Sequence, residues 1–290
     1  MEINECLSAD ILMWRKSMLI KGGSSLEIDW LLEIGGGLSW TSLQKLYLYP
    51  NSLVQLDLSL ENLETIWSRH ILDEIPLQYL LGKCPWRDFE LEVNSNVLIP
   101  RQESELMIEF ALKIFNEKSQ GLWVDLGTGS GALAIALARS LKAWEGHAVD
   151  CSKAALLLAQ KNISKLSPNS KVTFHLGDWW EPLQSLFKSI DLVISNPPYI
   201  PTSTLKKLDP IVYQNEPNLA LCGGDDGLDS CRKVISGAIR ALSPKGLIIM
   251  EHHYDQSERV LQLMEDSGLR NVRFEKDLNG IRRFAIGFGS

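Results

Sequence analysis

Leu122-Trp123-Val124-Asp125-Leu126-Gly127-Thr128-Gly129-Ser130-Gly131-Ala132-Leu133-Ala134-Ile135-Ala136-Leu137-Ala138 is the stretch that decides the fold. A short apolar run enters a turn dense in glycine, and an Ala/Leu-rich segment follows. That order predicts a buried strand, a tight loop and a helix. The glycines let the backbone come close to a ligand, and the start of the helix offers N–H groups with no partner inside it. The next apolar run, Gly146–Val149, ends in Asp150. About twenty residues beyond such a loop, a carboxylate can accept from both ribose hydroxyls of an adenosine. Gly127, Thr128, Gly129, Ser130, Gly131 and Asp150 are therefore expected to hold an adenosine-type cofactor.

Two cofactor classes fit this loop. With Ala132 in place of a third glycine, the run also satisfies the looser dinucleotide fingerprint. Asp125 argues against that reading, because a carboxylate just before the glycines would repel a pyrophosphate. It suits the charged amino group of a methionine moiety. A tight Gly-x-Gly-x-Gly loop with an acid before it resembles the loop of S-adenosylmethionine-dependent methyltransferases.

A second motif points the same way. The apolar run Leu192-Val193-Ile194 ends in Asn196-Pro197-Pro198-Tyr199. Each proline lacks an N–H, and Pro197 biases Asn196 towards an extended conformation. The loop is stiff and rich in acceptors, which suits gripping an –NH2 group. The Asn196 side-chain oxygen and the Pro197 carbonyl can each accept one of its hydrogens. Taken alone, the tetrapeptide is weak evidence, since most such strings in soluble proteins are simply turns. The glycine loop upstream raises it to a methyl-acceptor site.

Composition sets wider bounds. The chain has 290 residues, is 45% hydrophobic and 22% charged, and carries a formal net charge of −7. These values describe a globular protein with a sizeable core, and the acidity argues against a large nucleic-acid footprint. Cys6, Cys84, Cys151, Cys222 and Cys231 have no metal-ligand or redox spacing. No basic-then-apolar leader opens the chain and no run approaches membrane-spanning length. A soluble, cytoplasmic protein without a metal is expected.

The first eighty or so residues differ from the rest. Ser8–Lys21, Ser25–Ile34 and Ser59–Leu72 read as short amphipathic helices broken by glycine or proline. Trp14, Trp30, Trp40 and Trp67 are expected as core and rim of a small helical domain. Trp86–Ile99 alternates apolar positions and reads as a β-hairpin turning at Asn94-Ser95-Asn96. Glu103–Phe115 becomes helical. Strands at Val172–Leu176, Asp191–Ser195, Gly246–Glu251, Val272–Glu275 and Arg283–Gly287 then alternate with helices. The sum is an α/β fold, a doubly wound Rossmann-like domain after a helical domain and a hairpin. Its ligands should lie beyond the carboxyl ends of the strands, where Asp125, Asp150, Asp178 and Asn196 fall.

Further motifs appear in order: Pro76-Leu-Gln78-Tyr79-Leu-Leu-Gly82, Leu98-Ile-Pro-Arg101-Gln-Glu103-Ser-Glu105, Gly177-Asp178-Trp179, Glu216-Pro217-x-x-Ala220-Leu221 and Asp277-x-x-Gly280. With the two loops, the set resembles the protein-(glutamine-N5) methyltransferases of peptide-chain release factors, the HemK/PrmC type, over nearly the whole chain. Gln102 stands where a proline is usual, Ser104 where a threonine is usual, and His253 where a glycine is usual. That last change bears either on a pocket or only on a turn.

The resemblance implies a class I methyltransferase domain at 101–290, a hairpin linker at 85–100 and a substrate-docking helical domain at 1–84. It implies S-adenosyl-L-methionine as cofactor, lined by Asp125 and Gly127 to Gly131. Asp150 would sit on the ribose, with Asp178 and Trp179 at the adenine. Asn196 and Pro197 would hold the glutamine amide of class 1 release factors, with Pro198 and Tyr199 beside it. Tyr199 would flank the amide or the sulfonium. The family's target is the glutamine of a Gly-Gly-Gln loop. A monomer is expected, with neither a stable nucleic-acid partner nor a membrane. The alternative is a nucleic-acid methyltransferase acting on an exocyclic adenine or guanine amine, which must extrude the base and follow phosphates along a basic channel.

Overall fold

A computed structural model describes residues 4–115 and 120–290. The chain divides into two compact units, Met1–Lys83 with Pro210–Asn215, and Cys84–Asp209 with Glu216–Ser290.

In the first unit, β1 (Asn4–Leu7) leads into α1 (Ser8–Lys21), α2 (Ser25–Ile34) and α3 (Trp40–Leu48). Then come β2 (Leu53–Leu56), α4 (Leu60–Leu72) and α5 (Leu77–Leu81). The three expected helices form, and the caps show why they start where they do. Ser24 and Glu27 make a reciprocal capping box on α2, and the Ser59 hydroxyl accepts from the Asn62 N–H at 3.2 Å. Ile11, Ile28, Leu31, Leu63 and Trp67 are buried at the centre, and the Trp67 indole donates to the Met18 carbonyl. The unit is not wholly helical, because β1 and β2 pair antiparallel. Trp40 opens α3 on its outer face and is exposed.

The second unit begins with a hairpin, β3 (Lys83–Trp86) and β4 (Phe89–Glu92). Its turn is at Arg87-Asp88 and not at Asn94–Asn96. Arg87 supplies the left-handed conformation a two-residue turn needs, with φ +54°. The Asn94–Asn96 signal is a separate turn, closed by Asn94 accepting from the Asn96 and Val97 N–H groups.

A seven-stranded sheet follows, with α6 (Glu105–Phe115) ahead of it. Its strands are β5 (Leu122–Leu126), β6 (Glu145–Asp150), β7 (Lys171–Leu176), β8 (Ile190–Ser195), β9 (Leu242–Glu251), β10 (Arg270–Lys276) and β11 (Arg282–Phe288). α7 (Ala132–Ser140) and α8 (Lys153–Leu166) join the first three. The spatial order is β10-β11-β9-β8-β5-β6-β7. β9, β8, β5, β6 and β7 run parallel, and β11 enters antiparallel between β9 and β10. The central strands are buried on both faces, as a parallel sheet covered by helices requires. This is the doubly wound α/β architecture expected from the sequence.

Candidate active site

β5 has β6 on one side and β8 on the other, so the winding reverses at β5 and opens a crevice beyond the strand ends. Leu126 lies opposite Ser195 in register, and the Ser195 hydroxyl donates to the Leu126 carbonyl at 2.8 Å. The glycine loop and the Asn-Pro-Pro-Tyr loop therefore leave the sheet side by side. Between them is a cleft of about 380 Å³, a volume suited to a small-molecule ligand.

At one end the wall is backbone. The Gly127 and Thr128 N–H groups both donate to the Val149 carbonyl at 2.9 Å, which ties the loop to β6. Gly127, Gly129 and Gly131 have φ of +77°, +54° and +86°, a region costly for side chains. A Cβ on Gly129 would meet nothing within 4 Å, so that glycine faces the open cleft. A Cβ on Gly131 would come within 3.2 Å of the Ala159 Cβ. Gly131 thus lets α7 pack on α8 and is not part of the cleft wall, whereas Gly127, Thr128, Gly129 and Ser130 are.

Asp150 faces the cleft from the end of β6. Its oxygens accept from the Gly129 N–H at 2.9 Å and the Ser152 N–H at 2.8 Å, which fixes the carboxylate while leaving each oxygen a further lone pair. Burial raises its pKa, opposed by those backbone donors. Trp179 lies over Gly127, where an added Cβ would sit 3.5 Å from its ring. It holds φ +47°, an uncommon backbone for so bulky a residue. Asp178 also lines the cleft, and its carboxylate accepts from Lys233 at 2.9 Å.

Asp125 is wholly buried and does not form the wall. One oxygen accepts from the Thr128 hydroxyl at 2.6 Å, and Oδ1 has no hydrogen-bond partner among the described residues. Burial pushes its carboxyl up to about 7; the Thr128 bond and the Ala134 backbone N–H oppose the shift and the Asp150 charge adds to it. A buried acceptor without a donor is costly, and a cationic group at its side would relieve it.

The other end is built from side chains. The Asn196 amide donates to the Ser104 hydroxyl at 3.2 Å, and Ser104 donates to Glu251 Oε2 at 2.5 Å. Tyr199 donates to the other oxygen, Oε1, at 3.3 Å. Asn196, Pro198 and Ser104 line the cleft, with the buried Pro197 between two of them in the loop. The Tyr199 hydroxyl is turned to Glu251, whose buried carboxylate needs donors. Burial, then the carboxylate charge, hold the phenol pKa well above its ordinary value. Burial likewise pushes Glu251 up to about 7, with Ser104 and Arg283 opposing.

Arg101 extends this wall. One guanidinium nitrogen reaches both Glu216 oxygens, at 2.7 and 2.9 Å, and the Arg101 carbonyl accepts from the Trp86 indole at 2.9 Å. On α8, Asn162 clamps the hairpin to the glycine loop: it accepts from the Glu92 N–H and donates to the Glu92 and Ser130 carbonyls, each at 2.9 Å. The roles of Ser104, Glu251 and Asn162 escaped sequence reasoning. A signal existed for Glu251, an acid closing an apolar strand as Asp150 does. His253 takes φ −67° and its N–H donates to Gln256, so no glycine is required there and the substitution bears on a turn. Among the described residues no helix is long and apolar enough to cross a membrane.

The crevice, the glycine loop and the acid after the second strand define a class I methyltransferase. A family model described as a methyltransferase domain matches residues 117–278. A crystal structure of the hMettl16 catalytic domain in complex with the MAT2A 3'UTR hairpin 6 is 12% identical over 82% of this chain and 84% of that one, with a TM-score of 0.57. That likeness shows the fold alone.

Among curated sequences, the release factor glutamine methyltransferase of Prochlorococcus marinus is 58% identical, covering 96% of this chain and 95% of its own. That of Synechocystis sp. is 38% identical, covering 93% and 92%. The chain belongs to the release factor glutamine methyltransferase family.

Proposed function

We propose that the protein transfers a methyl group from S-adenosyl-L-methionine to the side-chain amide nitrogen of the glutamine in the Gly-Gly-Gln loop of class 1 peptide-chain release factors. The observation that carries the reading is that the glycine loop and Asn196 share one cleft. Family membership supports it.

The residues fit the cofactor. Gly129 leaves room, Asp150 is held with spare lone pairs, and the unpartnered Asp125 Oδ1 suits a neighbouring cation. S-adenosyl-L-methionine supplies, when bound, an electrophilic methyl group on a positively charged sulfur. Gly127 to Ser130 take its methionine and ribose portion, and Asp150 accepts from the ribose hydroxyls. Asp178 and Trp179 take the adenine.

A glutamine amide is a weak nucleophile because its lone pair is delocalised into the carbonyl. When the Asn196 oxygen and the Pro197 carbonyl each accept one of its hydrogens, electron density returns to nitrogen and its direction is fixed. Orientation of this kind can lower a barrier by roughly 7–11 kcal/mol. The methylated amide loses its extra proton readily, so no strong base is needed. The helical unit docks the body of the release factor, with Trp40 on the outer face of α3 available for contact.

Radiolabelled methyl transfer tests the reading. Release factor, tRNA and DNA are offered side by side, and label should appear on the loop glutamine. Label on nucleic acid instead would reject it.

A further inference from the structure

The Asn196 side chain is useful to an –NH2 group only when its oxygen, and not its own –NH2, faces the cleft. Asn196 cannot enforce this alone, since its two ends have nearly the same shape and opposite hydrogen-bonding character. Behind it stands a buried chain. Glu251, at the end of β9, is 1% exposed and offers carboxylate oxygens. Ser104, in the 3-10 turn Gln102–Ser104 that precedes α6, is 4% exposed. Once ionised, above about pH 7, the Glu251 carboxylate accepts and does not donate, so the Ser104 hydroxyl must then spend its single hydrogen on Glu251. Only lone pairs then remain on Ser104 towards Asn196, and these can be met only by the Asn196 –NH2.

We propose that Glu251, acting through Ser104, is a positioning residue that sets the polarity of the Asn196 amide and so presents Oδ1 to the substrate nitrogen. The inference rests on the reading of Asn196 as the acceptor of the target amide. The elements involved are far apart in sequence, separated by 92 residues from Ser104 to Asn196 and by 147 from Ser104 to Glu251. Tyr199 helps by donating to the second oxygen of Glu251, which holds the carboxylate in place. Without the chain the amide is free to turn over. Its –NH2 would then meet the substrate –NH2 donor to donor, with no acceptor between them.

The experiment measures kcat, the Michaelis constant for release factor, and cofactor affinity in the full-length protein. Ser104→Ala should lower kcat by about ten- to a hundredfold, the scale of a misplaced reacting group. Cofactor affinity and the Michaelis constant should stay within about threefold, since such groups contribute to orientation more than to binding. Ser104→Thr keeps the hydroxyl and should recover most of the lost kcat. A Ser104→Ala enzyme with wild-type kcat overturns the proposal. So does a loss that Ser104→Thr does not recover, or one confined to cofactor affinity. If Ser104→Ala fails to fold, Glu251→Gln is read in its place. Its amide can face Ser104 with either end, and an unchanged kcat would again overturn the proposal. Failure of the functional reading looks different: the wild-type protein would then put no methyl group on the glutamine.

Discussion

The two ends of the cleft are made in different ways. At the glycine-loop end the donors are backbone amides: those of Gly127 and Thr128 on the Val149 carbonyl, and that of Gly129 on the Asp150 carboxylate. The Asn196 end is a relay of side chains drawn from the segment before α6, from β8 and from β9. Backbone geometry is set by a few adjacent residues, so the first end is a local construction. The second depends on each member, because every hydrogen bond there fixes the direction of the next. Substitutions at the first end should therefore change affinity, and those at the second should change rate.

The largest expected effect is at Asn196. Asn196→Ala should reduce kcat by about a hundred- to a thousandfold, the scale for losing one preorganised polar group at a reacting centre. Cofactor affinity by calorimetric titration should be nearly unaltered. A lost affinity with an intact rate would erase the distinction between the ends.

Asp150→Ala should do the reverse. Cofactor binding should weaken by about 1.5–3 kcal/mol for each charged hydrogen bond removed, with kcat at saturating cofactor much less altered. Unchanged affinity in the titration would remove Asp150 from the site.

Asp125 gives a smaller effect with a definite sign. In the free protein its carboxyl is pushed up to about 7, chiefly by burial. A bound cation would lower that value, so the complex holds fewer protons than the free protein below about 7. Affinity should therefore rise with pH up to about 7 and level off beyond it. Proton release at pH 6, read by calorimetry in buffers of different ionisation enthalpy, checks this, and Asp125→Asn should abolish it. Proton uptake would contradict the account.

The smallest effect lies outside both ends. Trp40→Ala should raise the Michaelis constant for intact release factor by a few-fold, roughly 1 kcal/mol for an interface contact, and leave that for a loop peptide alone. Equal changes for both substrates would exclude a docking role for this face.

The contrast between the ends also explains what the sequence made legible. The placing of Gly127 to Ser130, Asp150 and Asn196 on one cleft was legible from neighbours a few residues away, because a strand end, a turn and a helix start are local events. The strands of the seven-stranded sheet and the three expected helices of the first unit were readable for the same reason. Ser104 and Glu251 were not assigned roles, since their partners are joined only by the order of β9, β8 and β5 in the sheet. The β1–β2 pairing was missed likewise, as it joins segments some fifty residues apart. The hairpin turn was misread because Asn94-Ser95-Asn96 has stronger turn chemistry than Arg87-Asp88, and the strand pairing, not the local preference, decided it. The bond from the Tyr199 hydroxyl to Glu251 was not legible either, since the carboxylate lies 52 residues on.

The central claim is that this cleft methylates a glutamine amide held by Asn196. The most direct measurement is the site of label after incubating purified protein with methyl-labelled S-adenosyl-L-methionine and release factor, with peptide mass spectrometry of the Gly-Gly-Gln segment. One methyl group on the glutamine side-chain nitrogen with the wild-type protein, and almost none with folded Asn196→Ala, is the predicted result. Label at another residue, or equal labelling by Asn196→Ala, would contradict it.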